Sequence, residues 1–506
     1  MTDSNLYRLF ETRFARQPDA IAFEGPEIRP YTFRDVMEGS ARIAHLLASE
    51  GAKPGDRVAV QVGKSVEAVL LYLACLRAGL VYLPLNTAYK SAELDYFISD
   101  SEPAVVVCDP AHESEVGEIV AKAGVKTLLT LDESGNGTLI ERSAGLPATF
   151  ETVAREKDDL AAILYTSGTT GRSKGAMLSH DNLASNAITL HRHWQFHPGD
   201  VLLHALPIFH VHGLFVALHC VFLAGGKVIF LKKFDSADVI RHFPASTVFM
   251  AVPTFYVRLL ADPAFTRDAC RNMRLFTSGS APLLEETFNA FTARTGHVIL
   301  ERYGMTEAGM ITSNPYDGLR KAGTVGFALD NEARIVDDAG RVVADGEIGI
   351  LEIRGPNVFK GYWRMPEKTA EEFRPDGFFI TGDMTCRDED GYYRIVGRAK
   401  DLIISGGYNV YPKEIESFID EIPGVGESAV VGVPHPDFGE AVVAFVVPGT
   451  DGETLTAAEV IATIKDKIAN FKVPKAVYFV PELPRNTMGK VQKNQLRDQA
   501  ISAAKA

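Results

Sequence analysis

The sequence predicts an α/β protein: a large N-terminal domain of α/β sheets carrying a β-rich subdomain, followed by a small, mobile α+β C-terminal domain. Three observations support this. Up to about residue 310, short apolar runs of strand length alternate with stretches of helical periodicity, the pattern of parallel sheets covered on both faces. From about 320 to 396 the helical stretches give way to closely spaced strands and turns, which marks the β-rich subdomain. After Gly397-Arg398 a new αβ unit begins, so the domains are placed at 1–399 and 400–506. A chain of 506 residues is also too long for one core.

The elements follow in order. Leu6, Leu9, Phe10 and Phe14 recur at helical spacing and predict a docking helix, while Asp3 and Glu11 argue against a signal peptide. Strand-like runs at 57–62, 81–85 and 104–109 enclose a helical stretch at 66–79, and an acidic helical segment follows. Residues 160–164 form a buried-looking strand that enters a glycine-rich loop, and Ser179 reads as the cap of a helix running towards Trp194. The longest apolar stretch, 213–225, contains His219 and is too short to span a bilayer, so it predicts a core helix. Runs at 228–231, 247–252, 274–277 and 298–300 continue the parallel pattern. Strands at 348–354 and 378–381, and a turn at 388–391 leading into 392–396, make up the β-rich part. Beyond it come helices at 412–419 and 457–470 and strands at 427–433, 442–447 and 476–480. The stretch around Lys400-Asp401 lacks a Pro- or Ser-rich linker, so a tight joint is expected there.

Hydrophobic residues at 46% and charged residues at 23% describe an ordinary globular protein. A formal net charge of −13 argues against nucleic acid or an anionic membrane as partner. An anionic ligand must then be held by local cations or backbone amides. The cysteines Cys75, Cys108, Cys220, Cys270 and Cys386 are far apart and form no CxxC pair. That pattern suits a reducing, cytoplasmic setting and offers neither a zinc site nor a disulfide framework.

Five motifs carry chemistry. Tyr165-Thr-Ser-Gly-Thr-Thr-Gly-Arg-Ser-Lys-Gly175 combines glycines, hydroxyls and cations in a loop able to wrap an anion, with a spacing that differs from a Walker A loop. Thr277-Ser-Gly-Ser-Ala-Pro282 is a second glycine cluster between a strand and a helix. Glu301-Arg-Tyr-Gly-Met-Thr-Glu307 sets two carboxylates around an aromatic and a hydroxyl, suited to a base and to Mg²⁺ with phosphate. In Phe379-Ile-Thr-Gly-Asp383 a strand-end carboxylate can accept ribose hydroxyls, with Arg398 able to assist from the other side. Pro484-Arg-Asn-Thr-Met-Gly-Lys490 presents a lysine on a glycine turn.

Together, in this order, the motifs resemble the adenylate-forming superfamily of acyl-CoA synthetases over essentially the whole chain, closest to the malonyl-CoA synthetases. The resemblance implies ATP, coenzyme A and Mg²⁺. It assigns Thr166, Ser167, Gly168, Thr169, Thr170, Gly171 and Lys174 to the ATP phosphates. Ser280, Ala281, Glu301, Tyr303 and Gly304 go to the nucleotide pocket, Thr306 to the α-phosphate, Glu307 with Thr170 to Mg²⁺, and Asp383 and Arg398 to the ribose. Lys490 would reach the α-phosphate and the attacking carboxylate, Lys400 would be the hinge, and Gly406 and Gly407 would line the coenzyme A channel. An acyltransferase and deacylase acting on Lys490 are implied as possible partners.

Arg302 points to the acid that is activated. An unpaired buried cation is strongly disfavoured, and a second carboxylate on the substrate would pair with it. Arg258, His210 and Ser278 are further substrate-binding candidates, with His212 beside His210. Residues 308–312 read Ala-Gly-Met-Ile-Thr where bacterial malonyl-CoA synthetases commonly carry Thr-Asn-Met-Asn, so methylmalonate or another short dicarboxylate stays open. Two other readings remain: a short- or medium-chain monocarboxylate ligase with Arg302 paired to Glu301 or another acid, and a silent nucleotide-binding protein.

Overall fold

Two predominantly parallel sheets form most of the structure, a computed structural model that describes residues 3–166, 173–405, 408–435, 439–449, 455–465, 467–468, 470–486 and 489–503. The first sheet runs Phe327–Ala328, Gly309–Ser313, Leu300–Met305, Leu275–Ser278, Val248–Ala251, Val201–His204, Lys227–Phe230, Ile21–Gly25 and Ile28–Thr32. Its inner strands are parallel and its edges antiparallel. The second runs Thr127–Thr130, Val105–Cys108, Arg57–Gln61, Val81–Pro84, Leu160–Thr166 and Lys174–Ser179. An antiparallel sheet of Glu332–Val336, Gly349–Arg354, Phe379–Arg387 and Tyr393–Arg398 supplies the expected β-rich part. The C-terminal sheet is built on the long Val425–His435 and Gly439–Pro448 pair, with Ala476–Phe479 beside it.

The N-terminal helix, Leu6–Phe14, buries Leu6, Tyr7, Phe10 and Phe14 and is capped by the Asn5 side chain. Its Phe10 and Phe14 rings each meet Phe222 at 5.5 Å, which pins it on the stretch between the sheets. That stretch departs from the expected core helix. It opens as a π-helix, His212–Leu218, and becomes α-helical only at His219–Ala224. A Cβ on Gly213 would lie 2.0 Å from the Pro207 carbonyl, and the Gly213 carbonyl itself accepts from His204 Nε2 at 2.9 Å. Both contacts constrain the first turn, and π-turns occur at such functional junctions.

Two more elements differ from expectation. The glycine-rich loop is followed first by the Lys174–Ser179 strand, antiparallel to Leu160–Thr166, and only then by the helix His180–His193. Ser179 caps that helix reciprocally with Asn182, as its position predicts. The helix expected at 457–470 stops at Ala457–Lys465. Lys400 lies in a short 3-10 turn, Ala399–Asp401, between the β-rich sheet and the C-terminal sheet. Among the described residues no helix is long and apolar enough to cross a membrane. All five cysteines are free thiols.

At the amino ends of the parallel strands, away from the cleft, Asp200 is 1% exposed and binds Arg274 through two contacts of 2.6 Å. Thr247 Oγ1 and the His197 N–H donate to the same carboxylate at 2.9 Å each. Burial alone would raise this carboxyl, but these donors, Arg274 foremost, hold it below its ordinary range. Its stabilisation is therefore complete above the unfolded pKa of about 3.9 and is lost as pH falls through the lower folded value. We expect Asp200→Ala to lower unfolding stability by about 3–5 kcal/mol near neutral pH, read by chemical denaturation, with the gap to the parent protein narrowing below about pH 4.

Candidate functional site

Three of the sheets bring their strand ends to one cleft. Strand Leu300–Met305 ends in Tyr303 and Thr306, the Leu160–Thr166 strand ends at Thr166, and Phe379–Arg387 carries Asp383. The buried Glu307 carboxylate accepts from Thr166 Oγ1 at 3.4 Å and lies 3.2 Å from the Tyr362 hydroxyl oxygen. Tyr362 donates its one hydroxyl proton to Glu372 at 2.6 Å, and Glu372 pairs with Lys174 at 2.8 Å. The Lys174 ammonium lies 4.1 Å over the Tyr362 ring. Burial raises the Glu307 carboxyl against the pull of Arg398 and Lys174. Lys174 is therefore not a free cation but one end of a chain that closes on Glu307.

The nucleotide candidates meet across the sheets. The Tyr303 hydroxyl donates to one oxygen of Asp383, and Arg398 Nε contacts the other at 2.6 Å. Gly304 is required where it stands, because a Cβ there would meet the Gly309 carbonyl at 2.1 Å. Thr306 borders a cavity of about 10 Å³ with Val211, Phe215 and Asn186, room for about one water. Ser280 adopts a left-handed φ of 70°, rare for a residue with a side chain, and its Oγ lies 3.3 Å from His212 Nδ1. Ala281 follows it, half-buried, on the same loop.

Arg302 occupies the floor. It is 2% exposed, and its Nε and Nη2 have no hydrogen-bond partner among the described residues. Side chains alternate along a strand, so Arg302 points away from Glu301 and Tyr303, and no ion pair joins it to Glu301. The notion that Glu301 neutralises it is thereby corrected. Glu301 instead accepts from the Leu283 N–H at 3.2 Å, leaving its other oxygen unpartnered, and burial pushes its carboxyl up to about 8. A Cβ on Gly279 would fall 2.2 Å from Arg302 Nη1, so only glycine leaves room for the guanidinium. Ser278 Oγ, beside Gly279, is buried without a partner, as is His212 Nε2. Burial and the charge of Arg302 push His210 down to about 4, and they hold His212 well below its ordinary value. Burial pulls Arg302 itself down only to about 10, so it stays cationic at neutral pH.

Arg258 is not part of this floor. On the Pro253–Ala261 helix, Tyr256 and Leu259 face the core, whereas Arg258 falls on the exposed side with no ion pair among the described residues. Lys490 does reach the cleft from the C-terminal sheet. Burial and the charges of Arg398 and Lys400 lower its ammonium pKa, while its own charge acts on His210. Ser167, Gly168, Thr169, Thr170 and Gly171 lie outside the described residues, as do Gly406 and Gly407.

Sequence reasoning missed Tyr362, Glu372 and the steric role of Gly279. Glu372 sits in the ordinary acidic pair Glu371-Glu372, and only the fold turns it towards Lys174. Gly279 lay within a recognised glycine cluster, but its contact with Arg302 depends on strand order.

The pattern of the AMP-binding enzymes matches residues 10–363, and that of the AMP-binding enzyme C-terminal domain matches 414–490. A malonate–CoA ligase of Arabidopsis thaliana is 36% identical, covering 97% of this chain and 89% of its own. A feruloyl-CoA synthase of Amycolatopsis is also 36% identical, covering 92% and 93%. The ATP-bound crystal structure of MatB from Rhodopseudomonas palustris superposes with a TM-score of 0.95 at 55% identity, covering 98% of this chain and 99% of that one.

If Arg302 lies against His210 as described, removing its charge raises the imidazole pKa. In ¹⁵N-histidine NMR spectra, His210 is expected to titrate near 4 in the parent protein and at a higher pH in Arg302→Ala. An unchanged midpoint would show that burial and Lys490 set it without Arg302.

Proposed function

We propose that this chain, which belongs to the AMP-binding enzyme family, is an ATP-dependent malonate–CoA ligase. It would activate malonate as malonyl-AMP and transfer the acyl group to coenzyme A, giving malonyl-CoA, AMP and pyrophosphate. One observation carries the choice of acid: Arg302 is buried with two nitrogens that no group among the described residues answers. Relatives at equal identity bear the names of different acids, so relatedness alone does not select one. A guanidinium of this kind binds a carboxylate through paired, directional hydrogen bonds. Malonate offers that second carboxylate, and a hydrocarbon chain would leave the cation unpaired.

The remaining roles follow in the same reading. Tyr303 and the Ser280-Ala281 loop would border the adenine, and Asp383 with Arg398 would hold the ribose. Thr166 and Lys174, with the loop between them, would receive the terminal phosphates, Lys174 exchanging Glu372 for phosphate oxygen. Glu307, a hard carboxylate flanked by hydroxyls, fits Mg²⁺ arriving with the nucleotide, and Thr170 would join it. Bound there, the ion would neutralise phosphate charge.

The first step brings two anions together. A carboxylate oxygen of malonate attacks the α-phosphorus, the bond to pyrophosphate breaks, and Lys490 offsets the charge that gathers on the α-phosphate. Neutral His210, lacking a charge to repel or trap the acid, flanks the reacting carboxylate. In the second step the sulfur of coenzyme A attacks the acyl carbon and AMP leaves. A thiol pKa of about 8.5 gives enough thiolate near neutrality for a strong dedicated base to be unnecessary. Rotation about Lys400 would replace the Lys490 turn by the segment holding Gly406 and Gly407 between the steps. The buried free thiols are in keeping with a cytoplasmic enzyme.

Pyrophosphate exchange with malonate, methylmalonate, acetate and octanoate tests this reading. We expect malonate to support exchange, and Arg302→Ala to lower kcat/KM for malonate by the equivalent of about 2–5 kcal/mol. Equal exchange with octanoate, or indifference to Arg302→Ala, would refute the dicarboxylate reading. We also propose Lys490 as a site whose acylation silences the first step, because an amide there has no charge to offset that of the α-phosphate. Adenylation measured before and after enzymatic deacylation should rise, and an unchanged rate counts against the switch.

A further inference from the structure

The turn carrying Lys490 is gripped by a residue outside the reacting centre. Arg485 Nη1 donates to the Gly489 carbonyl at 2.5 Å, and its Nη2 pairs with Glu427 on the Val425–His435 strand. Arg485 also bridges Val491 through the backbone, and the Asn486 N–H donates to the Lys490 carbonyl at 2.9 Å. In return the Lys490 N–H donates to Asn486 Oδ1 at 3.0 Å. Three residues on, Lys493 binds the buried Glu416 at 2.5 Å, which ties the exit of the turn to the helix Pro412–Asp420.

Gly489 sits at φ +74°, and a Cβ built there would approach Thr254 Oγ1 at 3.5 Å, so the turn lies against the Pro253–Ala261 helix of the cleft wall. Glycine passes readily between conformations that aim its following peptide in opposite directions. The peptide is planar, so fixing the Gly489 carbonyl also fixes the direction of the Lys490 N–H and the exit of its side chain. Arg485 is the side chain that does this, and its planar fork lets one guanidinium hold the carbonyl and Glu427 together.

We propose that Arg485, oriented by Glu427, is a positioning residue for the adenylation step, acting through the Gly489–Lys490 peptide. The inference rests on the role proposed above for Lys490. It predicts a split between half-reactions, because the Lys490 turn serves the first step and is withdrawn for the second.

The test measures pyrophosphate exchange with malonate, and separately the transfer of synthetic malonyl-AMP to coenzyme A, in Arg485→Gln, Glu427→Gln, Lys490→Ala and the Arg485→Gln/Lys490→Ala pair. Arg485→Gln should slow exchange about tenfold or more, with Glu427→Gln acting in the same direction. Transfer from the adenylate should stay within about twofold, and Arg485→Gln should add nothing in the Lys490→Ala background. Thermal melts identify any variant that is simply unfolded, and Glu427→Gln then carries the comparison. Equal loss in both half-reactions, additive loss with Lys490→Ala, or full exchange in Arg485→Gln would overturn the proposal. If the parent protein does not exchange with malonate, the reading of the acid fails instead, and the same comparison runs with whichever acid supports exchange.

Discussion

A guanidinium removed from water with nitrogens unanswered carries a desolvation penalty of several kcal/mol, and the cleft is arranged around that penalty. Arg302 reaches its place because strand alternation turns it away from Glu301 and because Gly279, just past the end of the neighbouring strand, has no side chain. Burial, helped by the charge of Arg302, keeps His210 and His212 neutral. The protein could have lowered this energy with one carboxylate. On the proposed reading, leaving the pairing to a ligand would convert the penalty into preference for an acid that carries a second negative group.

The rest of the cleft depends on joints between sheets rather than on any one of them. Tyr303 reaches from the large parallel sheet to Asp383 in the β-rich sheet, and Thr166 reaches Glu307. Tyr362 spans Glu307 and Glu372, so one hydroxyl links two carboxylates from different segments. Phosphate arriving between Thr166 and Lys174 would compete directly with Glu372, which couples nucleotide entry to the β-rich part. The C-terminal domain adds Lys490, whose N–H and carbonyl are both hydrogen-bonded to Asn486. Geometry is thereby prepared in advance, as electrostatic catalysis requires.

Much of this was legible in the residues, for identifiable reasons. Apolar runs bounded by glycine clusters exposed the parallel sheets, and the capping pair Ser179–Asn182 was readable from Ser179 alone. The burial of Arg302 was foreseeable from the family resemblance, which puts its neighbour Tyr303 where the acyl pocket should close. The exposed position of Arg258 was not legible, since proximity in sequence to a pocket segment says nothing about helix phase, and Tyr256 and Leu259 take the inward face. The π-turn at His212–Leu218 left no periodic signature, because it follows from contacts of Gly213 with Pro207 and His204, which arrive from an earlier strand and loop. The strand after the glycine-rich loop was hidden by its small residues, which pair well but lack a strong apolar alternation.

The central claim is that the substrate completes an ion pair the protein leaves open. A crystal structure with malonate and a non-hydrolysable ATP analogue tests it most directly. The account predicts one malonate carboxylate bound to Nε and Nη2 of Arg302, with the other directed at the α-phosphate near Lys490. A malonate whose far carboxylate lies elsewhere, with Arg302 paired to a protein acid or turned to solvent, would contradict it.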